Sequence, residues 1–175
     1  AIIVVHLFGL CVDMDAVRAY IPDDIKVIED AACAAGASYK GVAAGGLGDA
    51  ACFSFHPRKS ITTGEGGMLL TNNEKLADTM RRQRSHGITR DIGLMDTSFD
   101  KMTDGAWYYQ QTELGFNYRL TDIQSALGLS QMKRLDEFVS IRHELAKRYD
   151  DILSQLAVVL PYRNEQSYSA LHLYV

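Results

Sequence analysis

Lys59 is the residue of this chain most able to do covalent chemistry. It stands in the stretch Phe55-His56-Pro57-Arg58-Lys59-Ser60-Ile61-Thr62-Thr63-Gly64-Glu65-Gly66-Gly67, a loop rich in hydroxyls and glycines. Two short apolar runs flank it, residues 50 to 55 and 68 to 70, and both read as buried strands. Small residues let backbone crowd closely around a bound group. An amine in a partly dry pocket can shed its proton and attack a carbonyl, giving a Schiff base. Ser54, at the end of the first run, offers a hydroxyl to a phosphate. The plain alternative is a solvated loop lysine.

Glu29-Asp30 is the second candidate, at the end of the apolar run Val27-Ile28. Acids at the carboxyl end of a sheet strand lie where open α/β sheets bind ligands, although a solvated turn fits as well. Neighbouring residues on a strand point to opposite faces, so this pair flanks one glycosidic bond less readily than two separated carboxylates would. Gly46-x-Gly48-x-x-Ala51 matches a dinucleotide fingerprint only formally, because it opens a strand where the motif requires a helix. Cys11, Cys33 and Cys52 are widely spaced, and no histidine stands at metal-ligand spacing, so reduced thiols and no metal site are expected.

The elements that must position these residues alternate in type. Residues 1 to 5 form a continuous apolar run, as expected of a strand covered on both faces. Asp13 can cap a short helix to Tyr20 that Pro22 stops, and residues 26 to 28 form the next strand. That order predicts a βαβ unit and a mostly parallel sheet. Residues 36 to 48 are glycine-rich and hairpin-like. Asn72 or Asn73 caps a helix running to about His86, with Arg81, Arg82 and Arg84 complementing its dipole and Gly87 at its end. Residues 88 to 105 give no clear element, and Trp107-Tyr108-Tyr109 opens an aromatic strand candidate. Thr121-Asp122-Ile123-Gln124 is a capping box for a helix through Met132, and a second helical pattern runs from Leu135 to Ile152. Residues 158 to 160 and 171 to 175 are late strand candidates.

With 175 residues, the chain can build one ordinary core. A formal net charge of −4 supplies no basic field to gather nucleic acid. No apolar run approaches the roughly 20 residues of a membrane span, and the opening residues lack the basic start of a signal peptide. A cytoplasmic protein is expected.

In combination the motifs become specific. Ile28-Glu29-Asp30-Ala31-Ala32, then Phe53-Ser54-Phe55-His56-Pro57-Arg58-Lys59 and Thr63-Gly64-Glu65-Gly66-Gly67, then Gly115-Phe116-Asn117-Tyr118-Arg119-Leu120-Thr121 resemble the DegT/DnrJ/EryC1/StrS sugar aminotransferases. The resemblance extends over essentially the whole chain. It implies an α/β fold, that of the large domain of fold-type I pyridoxal-phosphate enzymes, with a mostly parallel sheet flanked by helices. Residues 1–134 would be the central and C-terminal part of that domain. Residues 135–175 would be a connecting helix and the start of a small C-terminal domain.

The same resemblance implies roles. Lys59 would hold pyridoxal 5'-phosphate covalently and shuttle a proton. Asp30 would pair with the pyridine nitrogen and keep it protonated, so that the ring accepts electrons. Ser54 would bind the cofactor phosphate, and Asn117 would reach the phosphate of a neighbouring subunit across a homodimer with a shared site. Cys33 stands where family members carry glutamine or histidine beside the ring, and a thiol is a poor donor there. His56 and Arg119 would contact substrate. The stretches 54 to 63, 84 to 91 and 107 to 115 look like the branch that aminates C4 of a UDP-4-keto-6-deoxy-N-acetylhexosamine, with glutamate as amino donor. Family members run to more than twice this length, so a central piece, inactive alone, is expected.

Overall fold

The computed structural model describes residues 1–95 and 105–175. In chain order the strands are β1 (Ile2–Val5), β2 (Val27–Asp30), β3 (Ser38–Tyr39), β4 (Val42–Ala43), β5 (Ala50–Ser54), β6 (Gly67–Leu70), β7 (Ile88–Thr89), β8 (Gln110–Gln111) and β9 (Ser167–Tyr168). The helices are α1 (Met14–Tyr20), α2 (Glu74–Gln83), α3 (Asp122–Met132) and α4 (Leu135–Leu153). Two compact units result: residues 1–72 with 121–175, and residues 73–120.

The first unit is built on a four-stranded sheet in the order β1-β2-β5-β6. β1, β2 and β5 run parallel, and β6 returns antiparallel beside β5. α1 crosses over between the first two strands, which is the βαβ unit the sequence predicts. Its start is fixed as expected, because Asp13 Oδ1 accepts from Ala16 N at 3.0 Å. The glycine-rich excursion is the β3–β4 hairpin, and β9 joins its free edge. Val4, Cys11, Met14, Val27, Ala31, Ala34, Tyr39 and Ala170 make the core beneath the sheet. Each large apolar side chain buried there contributes on the order of 1.5–3 kcal/mol.

The second unit holds α2 and the antiparallel pair β7–β8. Asn73 Oδ1 accepts from Leu76 N at 3.0 Å and starts α2. Gly87, at φ +67°, follows it where any Cβ would collide with the Glu113 carbonyl oxygen.

Several sequence expectations need correction. β1 is buried on one face only: Val4 is 6% exposed, whereas Ile3 is 66% and Val5 48%. β6 is exposed throughout, with Leu69 at 60%. The outer side chains of both strands lie where no described part of the unit covers them. The aromatic run 107–109 precedes a strand instead of forming one. Residues 158–160 and 171–175 are not strands. Pro161 ends the first run, and Leu171 turns left-handed at φ +46°, which breaks the second. Of the polar loop at 88–105, residues 96–104 lie outside the described residues.

Candidate active site

Alternation along β2 separates its two acids. Val27 and Glu29 are buried on the core face, and Asp30 takes the other face half-buried. Asp30 stands opposite Cys52 in the register of β2 and β5, so Asp30, Cys52 and Ser54 share that face. Ser54 is two residues further along, roughly 7 Å at the usual strand rise. Asp30 Oδ1 accepts from Ala32 N at 3.1 Å, and among the described residues Oδ2 accepts nothing. Burial, then the Asp30 charge, pushes the Cys52 thiol upward, so it stays protonated.

The loop after β5 folds back on itself to present Lys59. His56 N donates to Ser54 Oγ at 3.3 Å, Arg58 N donates to His56 Nδ1 at 3.2 Å, and Lys59 N donates to His56 O at 2.9 Å. Ser54 keeps its own O–H to give to a ligand. With Nδ1 accepting, a neutral His56 carries its proton on Nε2, which lies 3.9 Å from Glu65 Oε1. Gln124 and Gln131 of α3 pin the loop, at Glu65 O (2.9 Å) and Thr62 N (3.3 Å). Gly128 permits that approach, since a Cβ there would lie 2.8 Å from Thr63 Cγ2. The outcome is that the half-buried Lys59 directs Nζ at Cys33 Sγ, 3.2 Å away. Asp30, Cys33, Ser54, His56 and Lys59 are thus gathered at the carboxyl ends of β2 and β5.

Asn117 and Arg119 belong to the second unit. There Arg119 Nη2 donates to Asn117 Oδ1 at 3.0 Å and lies 3.4 Å from His86 Nε2. Arg82 is engaged with Glu113 at 2.9 Å and Arg81 with Asp78 at 2.7 Å, which accounts for two of the three arginines near the end of α2.

Sequence reasoning missed the residue that fixes the strand end. Glu29 reads as a ligand group or a solvated turn, yet its side chain and that of His6 are both 0% exposed. Glu29 Oε2 accepts from His6 Nε2 (2.9 Å) and Gly45 N (2.7 Å), and Oε1 from Leu47 N (2.8 Å) and Gly48 N (2.6 Å). Burial pushes its carboxyl up, but these four donors outweigh burial and hold it below the ordinary carboxylate value. Val12 N donates to His6 Nδ1 at 3.2 Å, so the His6 proton sits on Nε2 and points at Glu29. The only sequence signal was the alternation that sends Glu29 inward when Asp30 faces out.

The sequence profile of the DegT/DnrJ/EryC1/StrS aminotransferase family matches residues 1–175. The chain belongs to this family. The spore coat polysaccharide biosynthesis protein SpsC of Bacillus subtilis is 39% identical over 177 residues, covering 100% of this chain and 44% of that protein. The UDP-4-amino-4,6-dideoxy-N-acetyl-beta-L-altrosamine transaminase of Campylobacter jejuni is 40% identical over 151 residues, covering 86% of this chain and 37% of its own. Among solved structures, Helicobacter pylori PseC, an aminotransferase of pseudaminic acid biosynthesis, superposes with a TM-score of 0.85 at 32% identity. That match covers 99% of this chain and 44% of PseC. The chain therefore spans less than half the length of these relatives, and its α/β architecture is that of the aminotransferase large domain.

Members of the DegT/DnrJ/EryC1/StrS family use pyridoxal phosphate. The donor set here suits it: an amine, a carboxylate oxygen without a protein partner and a hydroxyl proton free to donate, all at one sheet edge. Among the described residues no cluster of histidine, cysteine and acid could hold a metal ion.

Proposed function

We propose that this chain is the cofactor-binding core of a nucleotide-sugar aminotransferase. In this reading an amino group passes from glutamate to C4 of a UDP-4-keto-6-deoxy-N-acetylhexosamine in the cytoplasm. The observation that carries the reading is Lys59 Nζ lying against Cys33, three residues past an outward-facing Asp30. The likeness to the Campylobacter and Helicobacter enzymes supports the sugar and its nucleotide. Residues 1–134 serve as the central and C-terminal part of the large domain, and 135–175 lead into a small one.

Bound pyridoxal phosphate supplies an aldehyde that carries the amino group and a ring that accepts an electron pair. The protein's own groups do the rest. Lys59 Nζ would hold the group covalently and, once released, would take up and give back the proton that the amino transfer moves. The free Asp30 Oδ2 holds a proton on the ring nitrogen. Ser54 Oγ donates to the phosphate, and Asn117 donates to the phosphate of a partner subunit in a homodimer. The Cys33 thiol lies beside the ring, and His56 and Arg119 orient the substrate.

The test is glutamate-dependent amination by protein containing this chain, with UDP- and dTDP-linked 4-keto sugars side by side. Product from the UDP-linked N-acetyl sugar is the expected result. Product only from the dTDP-linked sugar would move the assignment to another nucleotide sugar.

A further inference from the structure

The three free thiols of this chain differ in their surroundings. Cys11 is buried at 3% exposure, and burial, then the Glu29 charge, pushes its thiol up to about 12. Cys52 lies beside Asp30 and is raised as well. Cys33 has an amine on its sulfur instead: Lys59 Nζ lies 3.2 Å from Sγ, and both residues are half-buried. Oxidants reach a partly exposed sulfur beside a cation, whereas sealed thiols stay inert. Each partner is held by its own segment. Ala34 N donates to Ala31 O and Ala37 N to Ala34 O, both at 2.9 Å, which closes the turn carrying Cys33. Gly9 backs that turn, since a Cβ there would stand 3.0 Å from both the Cys33 carbonyl oxygen and His172 N. His172 N donates in turn to Phe8 O at 2.9 Å, so the end of the chain is tied to the same segment. Lys59 is fixed through its own loop, by Lys59 N on His56 O and by Gln131 on Thr62 N. Atoms roughly 3–3.5 Å apart stand at attack distance, and here a nitrogen and a sulfur do so.

We propose that Cys33 and Lys59 form a reversible redox pair, in which a peroxide oxidises the sulfur and the amine then closes an S–N bond onto it. In the first step the Cys33 sulfur attacks hydrogen peroxide and the O–O bond breaks. Sulfur gives up two electrons to the peroxide and becomes a sulfenic acid, while the departing hydroxide takes the thiol proton and leaves as water. In the second step the Lys59 nitrogen attacks that sulfur. An S–N bond forms, the S–O bond breaks, and the hydroxide leaves as water with a proton from the amine. The linked pair therefore carries two hydrogens fewer than the separate thiol and amine. Two molecules of a small thiol reverse the change, restoring both groups and leaving as a disulfide. Because the amine already touches the sulfur, it outruns the second peroxide that would carry Cys33 on to irreversible sulfinic acid. The consequence for function rests on Lys59 being the amine that takes the cofactor. Once linked, Lys59 is no longer a primary amine and cannot condense with an aldehyde.

The test treats cofactor-free protein containing this chain with a small excess of hydrogen peroxide, digests it without thiol and weighs the peptides. The expected product joins the Cys33 peptide to the Lys59 peptide, is lighter than their sum by two hydrogens, and separates again in dithiothreitol. Lys59→Arg keeps the charge but supplies a poor nucleophile, so it should give no link and leave a Cys33 sulfenic acid that dimedone captures. Cys33→Ser should give no link either. Wild-type protein whose Cys33 is captured by dimedone as fully as in Lys59→Arg overturns the proposal. So does Cys33 found joined to Cys11 or Cys52, or found unreacted while other residues oxidise. If a variant fails to fold, the wild-type masses decide. In parallel, pyridoxal phosphate would be captured on Lys59 with cyanoborohydride before and after peroxide. Capture should fall in proportion to the linked fraction and return with dithiothreitol, and in Cys33→Ser it should not respond to peroxide. A link that forms while pyridoxal phosphate never labels Lys59 would count against the proposed cofactor and leave the redox pair standing.

Discussion

Replacing Glu29 with glutamine tests whether the strand end carrying Asp30 is held as described. Four donors converge on the two carboxylate oxygens at 2.6 to 2.9 Å, three from backbone and one from His6. An amide keeps one oxygen and turns an NH2 toward the other two donors. His6 cannot adapt by switching tautomer, because its Nδ1 already accepts from Val12 N. Whichever way the amide faces, two buried N–H groups lose their acceptor. At about 1–3 kcal/mol each, Glu29→Gln should cost about 2–6 kcal/mol, a large part of the roughly 5–15 kcal/mol available to a domain. Urea unfolding of the chain and the variant measures it, and adding His6→Gln should cost less in the variant than in wild type. A two-state loss below about 1 kcal/mol would refute the claim that the pair is satisfied as drawn.

Three further outcomes follow from other sites. Asp49 receives Val27 N (2.9 Å), Lys26 (3.0 Å) and Arg18 (3.4 Å), led by the backbone bond, and its carboxyl is lowered from 3.8 to about 2. A depressed folded value means that its stabilisation is complete above about 3.8 and lost as pH falls through about 2; Asp49→Asn should flatten that part of the acid-unfolding curve. Thr121→Ala removes the hydroxyl that accepts from Gln124 N and keeps the return bond from Thr121 N to Gln124 Oε1, so α3 should lose about 1 kcal/mol in urea and the lysine loop it pins should exchange amide protons faster. Cys33→Gln places a strong donor where a weak one stands, and the pH midpoint of the bound cofactor's visible absorbance should fall; an unchanged midpoint would show that residue 33 does not touch the ring.

The parts of the fold legible in the sequence were those with local causes. Asp13, Asn73 and Thr121 each announce a helix through one side chain bonding a nearby backbone N–H, and each does so. The β2–β5 edge with Asp30 and Ser54 was legible because apolar runs end there. What escaped depends on distant partners. Glu29 is satisfied by His6 and by backbone 16 to 19 residues on, and no local pattern separates it from a ligand acid. The exposure of β1 and β6 depends on what packs against them, and a run of Ile and Val reads the same covered or bare. His172 is placed by left-handed residues at Phe8 and Leu171, neither a type that signals that conformation. The finer family roles at Asn117 and Arg119 came from resemblance alone.

Borohydride reduction in the presence of pyridoxal phosphate, followed by peptide mass spectrometry, shows whether Lys59 is the amine that takes the cofactor. A single reduced adduct on Lys59 is expected, absent from Lys59→Ala and diminished in Asp30→Asn and Ser54→Ala. Labels spread over exposed lysines such as Lys26 and Lys40, with Lys59 no more reactive than they are, would contradict it.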